Sequence, residues 1–168
     1  MINLDYIFDQ MKENTHTIHA IVSPLASNDM ANVLLSLNQA PFLAEYYKEV
    51  YEITKNSHTL LVNLGTINEN KLISIREALK SAKENNVPII LDPVGASASK
   101  VRLETVNYYL KNYPISVLKG NYSEIYSIYH NNLSTTGVDS KNINKEEIIK
   151  VCQKLSTMYN IIVVATGK

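Results

Sequence analysis

Tryptophan is absent from the 168 residues and cysteine occurs once, so no internal disulfide can form and the thiol content points to a reducing compartment. Net charge is lacking too. Sixteen Lys and Arg stand against sixteen Asp and Glu, which leaves no basic excess for a nucleic-acid groove or an anionic membrane. No apolar run approaches the roughly 18 to 20 residues of a membrane span. The opening residues, MINLDYIFDQMKENTHT, have neither the basic start nor the continuous apolar stretch of a signal peptide. These absences predict a cytoplasmic protein with no nucleic-acid or membrane partner. GxxxxGKS/T, GxGxxG and GxSxG do not occur, which removes P-loop, dinucleotide-fingerprint and hydrolase-elbow readings. His16, His19, His58 and His130 share no metal-ligand spacing. Cys152 falls on the apolar stripe of a helix and is expected in the core, not as a nucleophile.

What is present is a βαβ pattern in residues 87–124. Two short apolar runs, 87–91 and 115–118, are bounded by Pro or Gly and separated by a helix-length segment at 101–111. Parallel strands with a packed crossover gather their polar groups just past their carboxyl ends, where α/β sheets bind small ligands. Around this unit the chain alternates. Leu4, Ile7, Phe8 and Met11 mark an amphipathic helix, and 18–22 is a short apolar run. Residues 23–29 read as a polar loop ending at a cap, Asn28, before a helix carrying Ala31, Leu34, Leu35 and Leu37. Residues 40–44 read as a strand-like segment or a pocket lining, 46–56 as a short helix, and 59–64 as a buried strand running into Gly65-Thr66. Asn68 caps a long helix with the stripe Leu72, Ile75, Leu79 and Ala82. Tyr122, Ile125, Tyr126 and Tyr129 mark another, followed by a polar loop at 130–140. A last helix from Asn144 leads to the apolar run 161–165, expected as a buried strand, and then to Thr166-Gly167. The fold class is α/β with a mostly parallel central sheet covered by helices.

Several residues at the strand ends carry two readings. Asp92-Pro93-Val94-Gly95 is a plain Asp-Pro turn, or a carboxylate facing Mg²⁺ or phosphate followed by amides free to approach a phosphate. Asn121-x-x-Glu124 spells a capping box, as Asn144-x-x-Glu147 also does, yet a carboxylate there could help hold a hydrated Mg²⁺. Lys119 is either a solvated strand-end lysine or a counter-charge for nucleotide phosphate. Thr166-Gly167 is an ordinary turn or a hydroxyl with bare backbone suited to phosphate.

NDMANVLL, the AP-x-LA segment at 40–44, LVNLGTI, VPIILDPVG, VLKGNYSEI, TGVDS and VVATGK resemble, in order and spacing, the blocks of hydroxyethylthiazole kinases. The resemblance covers residues 18–168. It implies a single ribokinase-like domain, a homotrimer with sites at subunit interfaces, and phosphorylation of the hydroxyl of 4-methyl-5-(2-hydroxyethyl)thiazole by ATP with Mg²⁺. By matched position it assigns Leu43 and Gly65 to the thiazole, Asp92 and Glu124 to the metal, and Lys119 and Thr166 to ATP. Departures from the family's pattern are Val22-Ser23 in place of Thr-Asn, Leu43 for Met, and Val33 for Gly. The family's glycine-rich anion hole and proposed catalytic cysteine lie beyond position 168, so the domain is expected to be incomplete at that side and the chain to turn over little by itself. Two other readings remain open at this level: a catalytically inactive thiazole- or nucleotide-binding paralogue, and a kinase of another small alcohol.

Overall fold

The computed structural model describes residues 4–133 and 144–167. Among the described residues six strands, β1 (Thr17–Ile21), β2 (Ala40–Phe42), β3 (Thr59–Asn63), β4 (Ile89–Asp92), β5 (Ile115–Asn121) and β6 (Ile162–Thr166), form one sheet in the order β2-β1-β3-β4-β5-β6. The pairs β1/β2, β4/β5 and β5/β6 are parallel, as the alternation of strands and helices implies. The chain divides into two compact units, Met1–Leu61 with Thr66–Val87, and Val62–Gly65 with Pro88–Lys168.

The first unit holds α1 (Leu4–Glu13), β1 (Thr17–Ile21), α2 (Pro24–Ser36), β2 (Ala40–Phe42), α3 (Val50–Lys55), most of β3 (Thr59–Asn63) and α4 (Glu69–Asn85). Its core includes Ile21, Leu60, Ile75 and Leu79, all 0% exposed. The stretch 23–29 is not a loop. Residues 24–29 are already helical and belong to α2, so that Ser23, not Asn28, is the N-cap; Pro24 sits in the first turn, where a missing N–H costs nothing, and Leu37 is the C-cap. α3 is shorter than the pattern suggested because residues 46–49 form a turn. Asn68 caps α4 as expected, accepting the Lys71 amide at 2.9 Å. Neither α1 nor α2 fully buries a residue: Met11, Met30 and Leu34 are half-buried, whereas Leu4, Ile7, Phe8, Leu25, Val33 and Leu35 are exposed, Leu25 at 90%.

The second unit holds β4 (Ile89–Asp92), α5 (Lys100–Asn112), β5 (Ile115–Asn121), α6 (Tyr122–His130), α7 (Lys145–Tyr159) and β6 (Ile162–Thr166). The βαβ unit is present, with Leu103, Val106, Tyr109 and Leu110 as the buried face of its crossover helix. β5 runs on to Asn121, which places Lys119 inside the strand and not past its end. α6 buries Ser123, Glu124, Ile125, Ser127 and Ile128, whereas its tyrosines are half-exposed. The Tyr spacing marked a helix but not its inner face, because a phenol ring flanks a core as readily as it fills one. Cys152 is likewise half-buried beside the stripe Ile148, Val151 and Leu155 rather than within it. The last strand is less covered than its composition suggests. α7 packs against β6, yet Ile162 and Val164 remain 63% and 40% exposed. The polar stretch at 130–140 lies outside the described residues from position 134 on, as does the TGVDS block. No helix among the described residues is long and apolar enough to cross a membrane.

Candidate functional site

Parallel pairing sets β4, β5 and β6 with their carboxyl ends on one rim. Leu91 is opposite Leu118, Lys119 opposite Val164, and Asn121 opposite Thr166. Asp92, the last residue of β4, therefore comes level with Lys119, whose ammonium lies 3.5 Å from Asp92 Oδ2. The side chains are 18% and 47% exposed, so the pair sits where sheet meets solvent. Burial pushes the Asp92 carboxyl above its ordinary range, against the opposing pull of Lys119 and a hydrogen bond from Asn63. Asn63, at the end of β3, also accepts the Gly65 amide through Oδ1 at 2.8 Å. The two strand exits are joined a second time by the Leu64 amide, which donates to the Asp92 carbonyl at 3.1 Å.

Glu124 enters from the next element along. β5 passes into α6 with no intervening loop, and Asn121 and Glu124 close a capping box across the junction. Asn121 Oδ1 accepts the Glu124 amide at 2.9 Å, and Glu124 Oε2 accepts the Asn121 amide at 2.8 Å. The other carboxylate oxygen, Oε1, accepts the Gly95 amide at 2.9 Å, so one acid bridges the turn after β4 and the start of α6. Glu124 is 4% exposed. Its burial raises the pKa; the two amides and Lys119 counter this, and the charge of Asp92 adds to the rise. A carboxylate oxygen has two lone pairs, so one amide on each leaves acceptor capacity for a hydrated cation. The capping and metal-facing readings of this residue are compatible.

The turn 93–97 is tightly built. Gly95 has φ +77, a conformation that favours glycine. Its missing Cβ also makes room for Arg102, whose Cδ would lie 3.1 Å from one. Arg102 Nη1 donates to the Val94 carbonyl at 2.9 Å and to the Leu64 carbonyl. Ser97, fully buried, has no hydrogen-bond partner for its hydroxyl among the described residues. Gly120 is close-packed as well, since a Cβ there would meet Glu124 Oε2 at 3.1 Å and Pro93 Cγ at 3.2 Å. On the neighbouring strand Thr166 Oγ1 donates to the Gly120 carbonyl at 3.3 Å. At Gly167 a Cβ would fall 2.8 Å from the Tyr122 ring.

Asp92, Lys119 and Glu124 thus share one electrostatic neighbourhood, with Thr166 on the adjoining strand end. Gly65 is buried just past β3 in the same unit. Leu43 belongs to the first unit, where it follows β2 and is 42% exposed. A cleft of about 590 Å³ in that unit, lined by Glu45, Tyr46, Tyr47 and the first turn of α4, contains none of these six residues. Among the described residues no three His, Cys, Asp or Glu cluster to hold a metal ion. The acids available are two, one paired with a lysine and one tied to two amides. That donor set fits an ion that keeps its waters and shares phosphate oxygens, not a cage made by protein alone.

Sequence reasoning missed Asn63, Arg102 and Ser97. Arg102 left one trace: α5 has no acid in its first turn but carries Lys100 and Arg102 there, against the preference of a helix N-terminus for negative charge. A cation so placed needs acceptors from elsewhere.

Residues 8–168 match the family model described as hydroxyethylthiazole kinase family. The hydroxyethylthiazole kinase of Finegoldia magna is 44% identical over 162 residues, covering 96% of this chain and 60% of that protein. Hydroxyethylthiazole kinase 1 of Clostridium botulinum strain Hall is 38% identical over 162 residues, covering 96% and 61%. The solved structure of a hydroxyethylthiazole kinase protein from Pyrococcus horikoshii OT3 superposes with a TM-score of 0.85 at 28% identity, over 96% of this chain and 59% of that one. The chain therefore spans about 60% of the length of the curated relatives it matches.

Proposed function

Because this chain belongs to the hydroxyethylthiazole kinase family, we propose that its second unit forms the phosphate- and metal-facing part of a kinase that transfers phosphate from ATP to the hydroxyl of hydroxyethylthiazole. The observation that carries this reading is the grouping of Asp92, Lys119 and Glu124 at one rim of a parallel sheet, with the Thr166 hydroxyl on the next strand. Phosphoryl transfer asks a protein mainly for positioning and charge stabilisation, and this grouping can supply both. Asp92 and Glu124 would hold a hydrated Mg²⁺ through its waters. When bound, that ion supplies neutralisation of the phosphate oxygens. Lys119, half-exposed and balanced by one carboxylate, offers its ammonium to the phosphates as well. Thr166 presents a hydroxyl beside the backbone at Gly167. Leu43, exposed in the first unit, and Gly65, just past β3 in the second, are the residues that the family resemblance assigns to the thiazole.

Calorimetric titration tests the assignment. Mg·ATP is expected to bind the wild-type chain, and Lys119→Met to weaken binding about tenfold, the loss of one charge-assisted contact. Absence of binding by both Mg·ATP and hydroxyethylthiazole would remove the basis for a kinase site. The chain is further read as a single cytoplasmic kinase domain that assembles as a homotrimer. The apolar side chains left open on α1 and α2, Leu25, Val33 and Leu35 among them, support association with further copies.

A further inference from the structure

Glu124 is held from two sides, and the two holds differ in kind. The Asn121 amide is local, three residues away within the capping box, and forms wherever that box forms. The Gly95 amide comes from a separate turn, 29 residues earlier in the chain, and reaches Oε1 only if the turn is fixed. Two backbone bonds shape it internally, Ala96 N–H to the Pro93 carbonyl at 2.9 Å and Ala98 N–H to the Gly95 carbonyl at 3.1 Å. Neither ties it to the rest of the fold. The Leu64 amide holds only the residue before the turn, at the Asp92 carbonyl, whereas Arg102 reaches into it, because its Nη1 donates to Val94, next to Gly95, and to Leu64 at the exit of β3. Its stem packs where the Gly95 side chain would be. A guanidinium is always charged and its donors are fixed in a plane, so two carbonyls held by one nitrogen are set at one spacing.

We propose that Arg102 is a positioning residue for the metal-facing acid: by clamping the 93–96 turn to the end of β3 it holds the Gly95 amide on Glu124 and so fixes the carboxylate's orientation. The inference rests on the reading of Glu124 as an acid that faces Mg²⁺. Loss of the clamp leaves the capping-box bond in place but frees the carboxylate to turn about it. Groups that orient a metal-facing side chain alter metal affinity by about 10- to 100-fold when removed.

Two measurements on the full chain separate this inference from the functional assignment. The first needs no ligand: amide hydrogen exchange at Gly95, compared between wild type, Arg102→Met and Arg102→Lys. Protection at Gly95 is expected to fall at least about tenfold in Arg102→Met while Ile75 and Leu79 in α4 keep theirs, with partial recovery in Arg102→Lys. The second is a double-mutant cycle on nucleotide binding with and without Mg²⁺. Arg102→Met and Glu124→Gln should each weaken Mg·ATP about tenfold. Both should leave metal-free ATP within about twofold, and the double variant should be no weaker than either alone. A folded Arg102→Met with unchanged Gly95 protection overturns the inference, as does an additive cycle. If Arg102→Met does not fold, Arg102→Lys carries the same comparisons. Wild-type chain that binds no Mg·ATP but loses Gly95 protection on substitution overturns the kinase assignment and leaves the clamp standing.

Discussion

Around Glu124 the close packing has one visible defect, the Ser97 hydroxyl, which is buried without a partner among the described residues. An unsatisfied buried hydroxyl costs about 1 to 3 kcal/mol, so Ser97→Ala is expected to raise stability by about 1 kcal/mol. Urea unfolding would register this as a higher midpoint at unchanged slope. Gly95→Ala should do the opposite. Its φ of +77 costs an L-residue about 1 to 2 kcal/mol, and the new Cβ must displace the Arg102 stem. Of this neighbourhood Asp92 and Thr166 could be picked out in the sequence because each ends a strand beside Pro or Gly, and Glu124 because it closes an Asn-x-x-Glu box; Lys119, which reads as a strand end beside Gly120, lies inside β5. Ser97 could not, since nothing in the string ASASK says which serine is buried.

Capping chemistry separates helices that look alike in the sequence. Asn68 and Asn144 accept amides of the first turns of α4 and α7, whereas Ser99 at the head of α5 makes no side-chain cap bond. Asn68→Ala should therefore cost about 1 kcal/mol. Ser99→Ala should stay within about 0.5 kcal/mol. Thermal unfolding of the two variants side by side checks the contrast. Between β1 and α3, His19 is fully buried, its Nε2 bonded to the Ala44 carbonyl at 3.0 Å and its Nδ1 to Thr54 Oγ1 at 2.7 Å. A carbonyl only accepts, so Nε2 carries the proton and Nδ1 takes the threonine's. Burial lowers the His19 pKa from 6.5. Between the lowered value and 6.5 the unfolded chain binds the proton that the folded chain refuses. The stability from neutral His19 is thus complete above pH 6.5 and declines as pH falls below it. Urea midpoints at pH 7.5 and 5.5 should diverge more in wild type than in His19→Gln. Asp92 and Glu124, with pKa values raised by burial, act in the opposite direction, which makes the variant comparison necessary.

For the molecule as a whole, the bare faces of α1 and α2 bear on assembly. Neither helix buries a residue, although Leu4, Ile7 and Phe8 follow the spacing of a docked helix. Burying apolar area at about 25 cal/mol per Å² favours covering these side chains, and the proposed homotrimer would be one way to do so. Light scattering is expected to give the mass of three chains, and Leu25→Glu with Leu35→Glu to lower it. A monodisperse monomer in wild type would count against a trimer.

Element types and the Asn caps of α4, α6 and α7 could be read from the residues alone, because hydrophobic period and first-turn hydrogen bonding are local properties of the chain. The α/β class followed from their alternation, and the family resemblance from the order of the blocks. The start of α2, the inner face of α6 and the exposure of β6 could not be read that way, since each depends on what packs alongside. The meeting of Asp92, Lys119 and Glu124, and the Arg102 clamp that joins β3 to the turn after β4, were settled only by the tertiary structure. Parallel register brings residues tens of positions apart to within hydrogen-bond distance, and no local preference encodes that distance.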